Sequence, residues 1–287
     1  MARTYAKCTH CENRFPVATM HYYAKADRGG KPAYLCDVCV NLEYSYHDDC
    51  ATTKEKGAEK SEPWTAGFEL ETSNHTDRGQ AELISYGFKP SSDCSLGWTG
   101  REYESPKWLG FGGPTHFTPR IEEMLNNGDI SINEDCGCHL HIGYGDVLSE
   151  TYRRICFEHR EQICWASESV MTDNPEKTVQ FFGRDFQHYA RRSGCVSNRW
   201  YDHDARYAWM NFKSSHDTIE FRLNYFQSKV QYNRLIMAEK KIVAALLKHF
   251  PPMLIQVASE AERDAMAIKA GKYIARIISK AFDAMDV

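Results

Sequence analysis

Apolar and polar residues alternate with a period of two in four short stretches of the chain. In GFELET, 67–72, Glu69 and Glu71 take one side while Phe68 and Leu70 take the other. In REYESP, 101–106, Glu102 and Glu104 share a side. In CGCHLHIG, 136–143, His139 and His141 share a side, opposite Cys138, Leu140 and Ile142. In DTIEFRLN, 217–224, Glu220 and Arg222 oppose Ile219, Phe221 and Leu223. Successive strand side chains point to opposite faces, so each stretch reads as a strand with one core face and one polar face. The strands expected cover about 66–72, 101–104 (stopping before Pro106), 138–142 and 218–224.

Helical spacing takes over between and after them. From Ser149 to Met171, Tyr152, Ile155, Ile163, Ala166 and Val170 fall near one face and predict a single long helix. Another is expected after Thr118, with Pro119 as its first residue and Asn126, Asn127 and Gly128 closing it. From about Gln231 the tail reads as helix, interrupted at Pro251, Pro252 and Met253. Strands come first and long helices dominate the end, which predicts an α+β fold with an antiparallel sheet rather than parallel βαβ units.

The first 50 residues differ, being rich in Cys, Tyr and His. Residues 51–62, ATTKEKGAEKSE, hold no large apolar side chain and read as a linker or short exposed helix. The expected organisation is a module over 1–50, a linker over 51–62 and a larger domain over 63–287.

Composition narrows the function. A formal net charge of −4 argues against broad affinity for nucleic acid. The apolar run near Ile242 to Leu247 is too short for a bilayer, and MARTYAKCTH lacks an apolar leader core, so the chain reads as cytoplasmic. Eleven cysteines in such a chain suggest metal ligation and free thiols before disulfides. Cys8 and Cys11, with Cys36 and Cys39, form two C-x2-C pairs suited to one tetrahedral structural Zn2+. The segment between them reads as a hairpin with a Gly-Gly turn, and the whole resembles a zinc ribbon or treble clef. So small a module buries little core, so the metal would supply most of its folding free energy. Glu12 and Val40 stand where such knuckles commonly carry glycine.

The polar strand faces carry the chemistry. If Glu69, Glu71, Glu102, Glu104, His139, His141, Glu220 and Arg222 meet in one cavity, cations must offset the repulsion of the acids. Carboxylates suit Mg2+ or Mn2+ and tolerate an imidazole. The planar guanidinium of Arg222 suits phosphate oxygens. Together they point to a bound polyphosphate. No GxxxxGK[ST] loop is present, and the glycines of KWLGFGGP, 107–114, read as a turn near the site mouth. Separately, E-x-E pairs are often solvated, and CGCHLH alone is compatible with a zinc cluster.

The ordered set GFELE, D-x-S-L with E-Y-E-S-P, CGCHLHIG, RYAWMN and TIEFRL resembles the amidoligase family, within the glutamine synthetase and glutamate–cysteine ligase superfamily of carboxylate–amine ligases. The resemblance spans about 64–228. It implies a glutamine-synthetase-like catalytic domain with helices packed on one face of the sheet. It also implies that Glu69, Glu71, Glu102, His139 and Glu220 bind two Mg2+ (or Mn2+) ions, with His141 near nucleotide phosphate. Arg222 would contact the γ-phosphate and the acyl phosphate, and Arg206 and Asn211 would hold phosphate or substrate carboxylate. Catalysis would then fall to Arg222, Arg206 and Glu102, and ATP binding to His141, Arg206, Asn211 and Arg222. Asp93 matches the acid of the family's D-G-S position, with Cys94 replacing its glycine. Glu104 stands where the family usually has an apolar or small residue. Arg184, Arg191, Arg192 and Arg199 are candidate carboxylate anchors.

The implied activity is ATP-dependent amide formation between a carboxylate and an amine, free or on a peptide or protein, through an acyl phosphate. Neither nucleic acid nor membrane is an expected partner. The competing expectations are a zinc-dependent adaptor for nucleic acid or protein, without catalysis, and a metal-dependent hydrolase.

Overall fold

A computed structural model describes residues 64–91, 96, 99–186, 190–214 and 216–285, and before them four short strands. These are β1 (Tyr5–Lys7), β2 (Arg14–Pro16), β3 (Met20–Tyr23) and β4 (Ala33–Cys36); β1 pairs β2 and β3 pairs β4, both antiparallel. The β3–β4 pair is the hairpin expected between the two cysteine pairs. The expected zinc ligands Cys8, Cys11 and Cys39, the side chain of Cys36, the expected linker over 51–62 and Asp93 lie outside the described residues.

The larger region is built on a seven-stranded antiparallel sheet. Its strands are β5 (Trp64–Thr72), β7 (Lys89–Ser91), β8 (Arg101–Glu104), β9 (Trp108–Leu109), β11 (Cys138–Tyr144), β12 (Met210–Asn211) and β13 (Ile219–Phe221). Their order is β12-β13-β11-β5-β8-β7, with β9 also paired to β5. A separate pair joins β6 (Asn74–His75) to β10 (Ile130–Ser131). The period-two reading holds: Phe68, Leu70, Leu140, Ile142, Ile219 and Phe221 all enter the core. Burying each contributes about 1.5–3 kcal/mol. The fold is α+β.

The helices are α1 (Asp77–Ser85), α2 (Gly112–Asn126), α3 (Glu150–Glu158), α4 (Arg160–Asp173), α5 (Pro175–Phe182), α6 (Lys229–His249), α7 (Pro252–Ile255) and α8 (Glu260–Asp283). Helix α6 meets the apolar sheet face. The Tyr232 ring lies 5.4 Å from that of Phe68, and its hydroxyl donates to the Cys138 carbonyl. The Ser228 hydroxyl caps α6 by accepting from the Gln231 amide at 3.2 Å. Helix α8 then packs along α4 and α6. Among the described residues no helix is long and apolar enough to cross a membrane.

Three expected boundaries move. Helix α2 begins at Gly112, so Pro119 is internal. Gly110, at φ +71°, turns the chain out of β9 straight into it. The Thr115 carbonyl, which Pro119 cannot serve, has the Thr118 hydroxyl at 3.1 Å. The helix expected over 149–171 bends at His159 (φ −102°, ψ 16°), where the buried Arg160 guanidinium takes the Phe157 carbonyl at 3.0 Å. Strand β13 covers only Ile219–Phe221, although the Arg222 amide still donates in register to the Trp209 carbonyl at 2.8 Å.

Candidate functional site

Strand register assembles the polar face row by row. His139 lies opposite Glu69, which lies opposite Glu104. His141 lies opposite Glu220, which lies opposite Asn211. Glu71 lies opposite Glu102. Residues scattered over about 150 positions of sequence thus share one side of one sheet. Glu71, His139, His141, Asn211, Glu220 and Arg222 are buried; Glu69, Glu102 and Glu104 are half-buried.

The contacts are dense. The Nδ1 atom of His139 is 3.3 Å from Glu69 Oε2 and 3.4 Å from Glu220 Oε1, while its Nε2 is 3.9 Å from Glu71 Oε1. Gly137 makes room for this ring: a Cβ there would lie 2.2 Å from His139 Nε2. The Gly137 amide donates to Glu71 Oε2. Asn211 Nδ2 donates to Glu220 Oε2 at 2.6 Å, and Arg222 Nη1 donates to Glu220 Oε1. Ser91 Oγ donates to Glu102 Oε1 at 2.9 Å.

His141 is the most constrained member. Its Nδ1 is 3.0 Å from Thr218 Oγ1 and 3.2 Å from Ser214 Oγ. Its Nε2 stands 3.0 Å from Glu69 Oε1, close enough for an ion pair but off the line of a hydrogen bond, and it has no hydrogen-bond partner although buried. Burial pulls this imidazole down, yet the charge of Glu69, helped by Glu220, lifts it above its ordinary 6.5. Burial pushes Glu69 up, but His141 and His139 outweigh it and hold the carboxylate far below the usual range. Glu102 goes the other way: burial, then the neighbouring charges of Glu69 and Glu71, push it up to about 7 against the Ser91 hydrogen bond.

Ligand atoms of Glu69, His141 and Glu220 all lie within 4.8 Å of one another. Two carboxylates, plus an imidazole whose far nitrogen is fixed by hydroxyls and whose near nitrogen faces Glu69, fit a divalent cation. This places His141 among the candidate ligands, where the family pattern implied His139.

A cavity of about 280 Å3 adjoins the cluster, lined by Gly67, Glu69, Glu104, Lys107, His141 and His216, among others. One wall is the turn at His216, Asp217 and Thr218, where Asp217 has φ +51°. Buried Arg153 of α3 holds that turn, donating to the carbonyls of Phe212 (3.1 Å) and Ser214 (2.6 Å) and to Asp217 Oδ1 (2.6 Å). At the other edge, Arg191, Arg206 and Arg222 stack around Tyr207, at 5.7, 5.3 and 5.7 Å from its ring centre.

Of the residues expected from sequence, Glu69, Glu71, Glu102, His139, His141, Glu220, Arg222 and Asn211 come together. Asn211 is committed to Glu220 and to the Lys213 amide. Arg206 is exposed at the Tyr207 edge. Arg184 is buried and donates to the Cys136 carbonyl, and Arg191 pairs with Asp204 at 2.8 Å. Cys138 faces the core, away from both histidines, and Cys136, Cys138, Cys156, Cys164 and Cys195 are free thiols. Sequence reading missed Ser91, Ser214, His216 and Thr218. The only signal for the last three was SSHDT, a polar run beside the fourth strand. The chain matches no protein-family model and no curated protein.

Proposed function

We propose that this chain is an ATP-dependent carboxylate–amine ligase with a glutamine-synthetase-like sheet, preceded by a zinc-ribbon-like module over 1–50 and a linker. One observation carries the reading: carboxylates, two imidazoles and Arg222 gather on one sheet face beside a cavity, with Glu69, His141 and Glu220 close enough to share an ion.

Glu69, His141 and Glu220 would hold one Mg2+ or Mn2+, and Glu71, Glu102 and His139 border the place for a second. Such ions, when bound, neutralise the β- and γ-phosphates of ATP. The protein's own groups then have defined tasks. Arg222, anchored on Glu220, offers its guanidinium to the transferred phosphoryl oxygens, and the arginines around Tyr207 make that edge favourable to anions. A substrate carboxylate oxygen attacks the γ-phosphorus, and the bond to ADP breaks. The amine nitrogen attacks the acyl carbon, phosphate leaves, and the ammonium proton passes to a base on the cavity wall, where Glu104 and His216 stand. The cavity shields the acyl phosphate from water.

The test is Mg2+–ATP titration of the full chain, followed by a screen for ADP release across pools of carboxylates and amines. ADP release that needs Mg2+ and both substrates, and that disappears in a folded Glu71→Gln variant, is the expected result. Absence of any affinity for Mg2+–ATP overturns the reading.

A further inference from the structure

We infer that the cavity beside the cluster is a subsite for one zwitterionic α-amino acid, its ammonium on Glu104 and its carboxylate on Lys107; that this amino acid is the amine substrate rests on the ligase reading. The charged and imidazole side chains lining the cavity are Glu69, Glu104, Lys107, His141, His216 and Asp217. Four of these are engaged within the protein. Glu69 pairs with His139 and His141, His216 lies 3.8 Å from Glu69, and Asp217 pairs with Arg153. Glu104 and Lys107 have neither an ion pair nor a side-chain hydrogen bond among the described residues. Among those residues the wall therefore presents one uncommitted carboxylate and one uncommitted ammonium, three positions apart.

The segment between them is held in place. The Ser105 amide donates to the Phe68 carbonyl at 2.9 Å, and the Ser105 hydroxyl accepts from the Phe68 amide at 2.7 Å. Pro106 fixes its own φ, and Trp108 and Leu109 pair at once with Ala66 and Thr65 of β5. Glu104 itself pairs with Glu69 of β5, so both ends of this short bridge from β8 to β9 are anchored on one strand. The floor beneath is bare. Gly67 shares a side of β5 with Glu69 and Glu71, and a Cβ there would come within 3.2 Å of Ser105 Oγ.

The two charges differ in depth. Glu104 is half-buried and lies opposite Glu69, whereas Lys107 is exposed. The inner acids attract an ammonium and repel a carboxylate, so an amino acid enters nitrogen first and leaves its carboxylate at the mouth. Its nitrogen then faces the Glu69 side of the cavity, where the acyl phosphate forms in the ligase reading. A volume of about 280 Å3 is at the small end of ligand sites and suits one amino acid better than a long peptide. A simple amine leaves Lys107 without a partner, and a simple carboxylate leaves Glu104 without one.

The experiment uses the full chain and a pool of the twenty amino acids, with their N-acetyl derivatives and methyl esters. Saturation-transfer NMR finds the binders, with and without Mg2+ and a non-hydrolysable ATP analogue, and calorimetry then measures affinity. At least one free amino acid is expected to bind, and both of its blocked derivatives more weakly. Glu104→Gln should weaken that binding by about 10- to 100-fold, the loss of a charged hydrogen bond. Lys107→Met should cost about two- to fivefold, because the lysine is exposed, and should abolish the preference over the methyl ester. No bound amino acid under either condition, or wild-type affinity in a folded Glu104→Gln variant, overturns the subsite. Affinity for Mg2+–ATP separates the two readings. An amino acid bound by a chain that ignores Mg2+–ATP leaves the subsite and ends the ligase; Mg2+–ATP bound without any amino acid does the reverse.

Discussion

Asn211 holds Glu220 from the neighbouring strand, its Nδ2 donating to Oε2 at 2.6 Å while Arg222 takes the other oxygen. Both oxygens of this candidate ligand are therefore oriented before any ion arrives. Asn211→Ala frees one of them. Groups that orient metal ligands typically control affinity by 10–100-fold. Calorimetric titration with Mn2+ should show a loss of about that size, with far-UV circular dichroism unchanged. Undiminished affinity would remove Asn211 from the site.

The pair of His141 and Glu69 should dominate the titration of the metal-free protein. His141 is raised above 6.5, so its contribution to stability is complete below that value and is lost as pH rises through the folded value. Glu69 is lowered below 4.5, so its contribution is complete above that value and is lost as pH falls through the folded one. The pair therefore stabilises fully between about pH 4.5 and 6.5. Imidazole proton NMR should place the His141 midpoint above 6.5, and Glu69→Gln should bring it below, because burial then acts with its main opponent gone.

Glu239 gives a pH effect away from the site. This α6 carboxyl is fully buried, accepts from Asn224 Nδ2 at 3.1 Å, and burial raises it well above 4.5. The folded protein keeps its proton where the unfolded chain releases it. The contribution of Glu239 to stability is thus complete below pH 4.5 and falls by about 1.4 kcal/mol per pH unit above it until the folded group ionises. Glu239→Gln should lack this slope in urea denaturation between pH 5 and 8. Parallel curves for the two proteins would show that Glu239 is charged when folded.

Gly137→Ala should fail for steric reasons. Its Cβ would sit 2.2 Å from His139 Nε2, so ring or backbone must shift. Overpacking of this kind costs about 1–3 kcal/mol. The shift also displaces the amide that Glu71 accepts from, so Mn2+ affinity should fall with stability. A variant as stable as wild type would show that the ring moves freely.

The sheet was legible because a charged residue at every second position of an otherwise apolar strand allows only one facing. Glu69 with Phe68, and His141 with Leu140, declared their sides before any register was known. The ends of elements were less legible. Pro119 read as a helix start, because no local signal reveals that Gly110 hands the chain directly from β9 to α2, or that Thr118 lies close to the carbonyl left over. His159 bends its helix through the contacts of Arg160 with distant Ser193 as well as with Phe157. Ser91, Ser214 and Thr218 are ordinary loop and edge hydroxyls in sequence. They gain meaning only when pairing of distant strands brings them to Glu102 and His141.

Arg153 ties Phe212, Ser214 and Asp217 to a helix, and this changes what kind of wall their turn is. Ser214, His216 and Thr218 ride on a backbone clamped from beneath, with Asp217 kept in a left-handed conformation that an unsupported aspartate seldom holds. A tilt of α3 therefore moves the hydroxyls that orient His141, and a push on those hydroxyls is felt at α3. The rim of the cavity and the helix behave as one mechanical part, so an insertion in the turn or a swap of Arg153 for a shorter cation would loosen both at once.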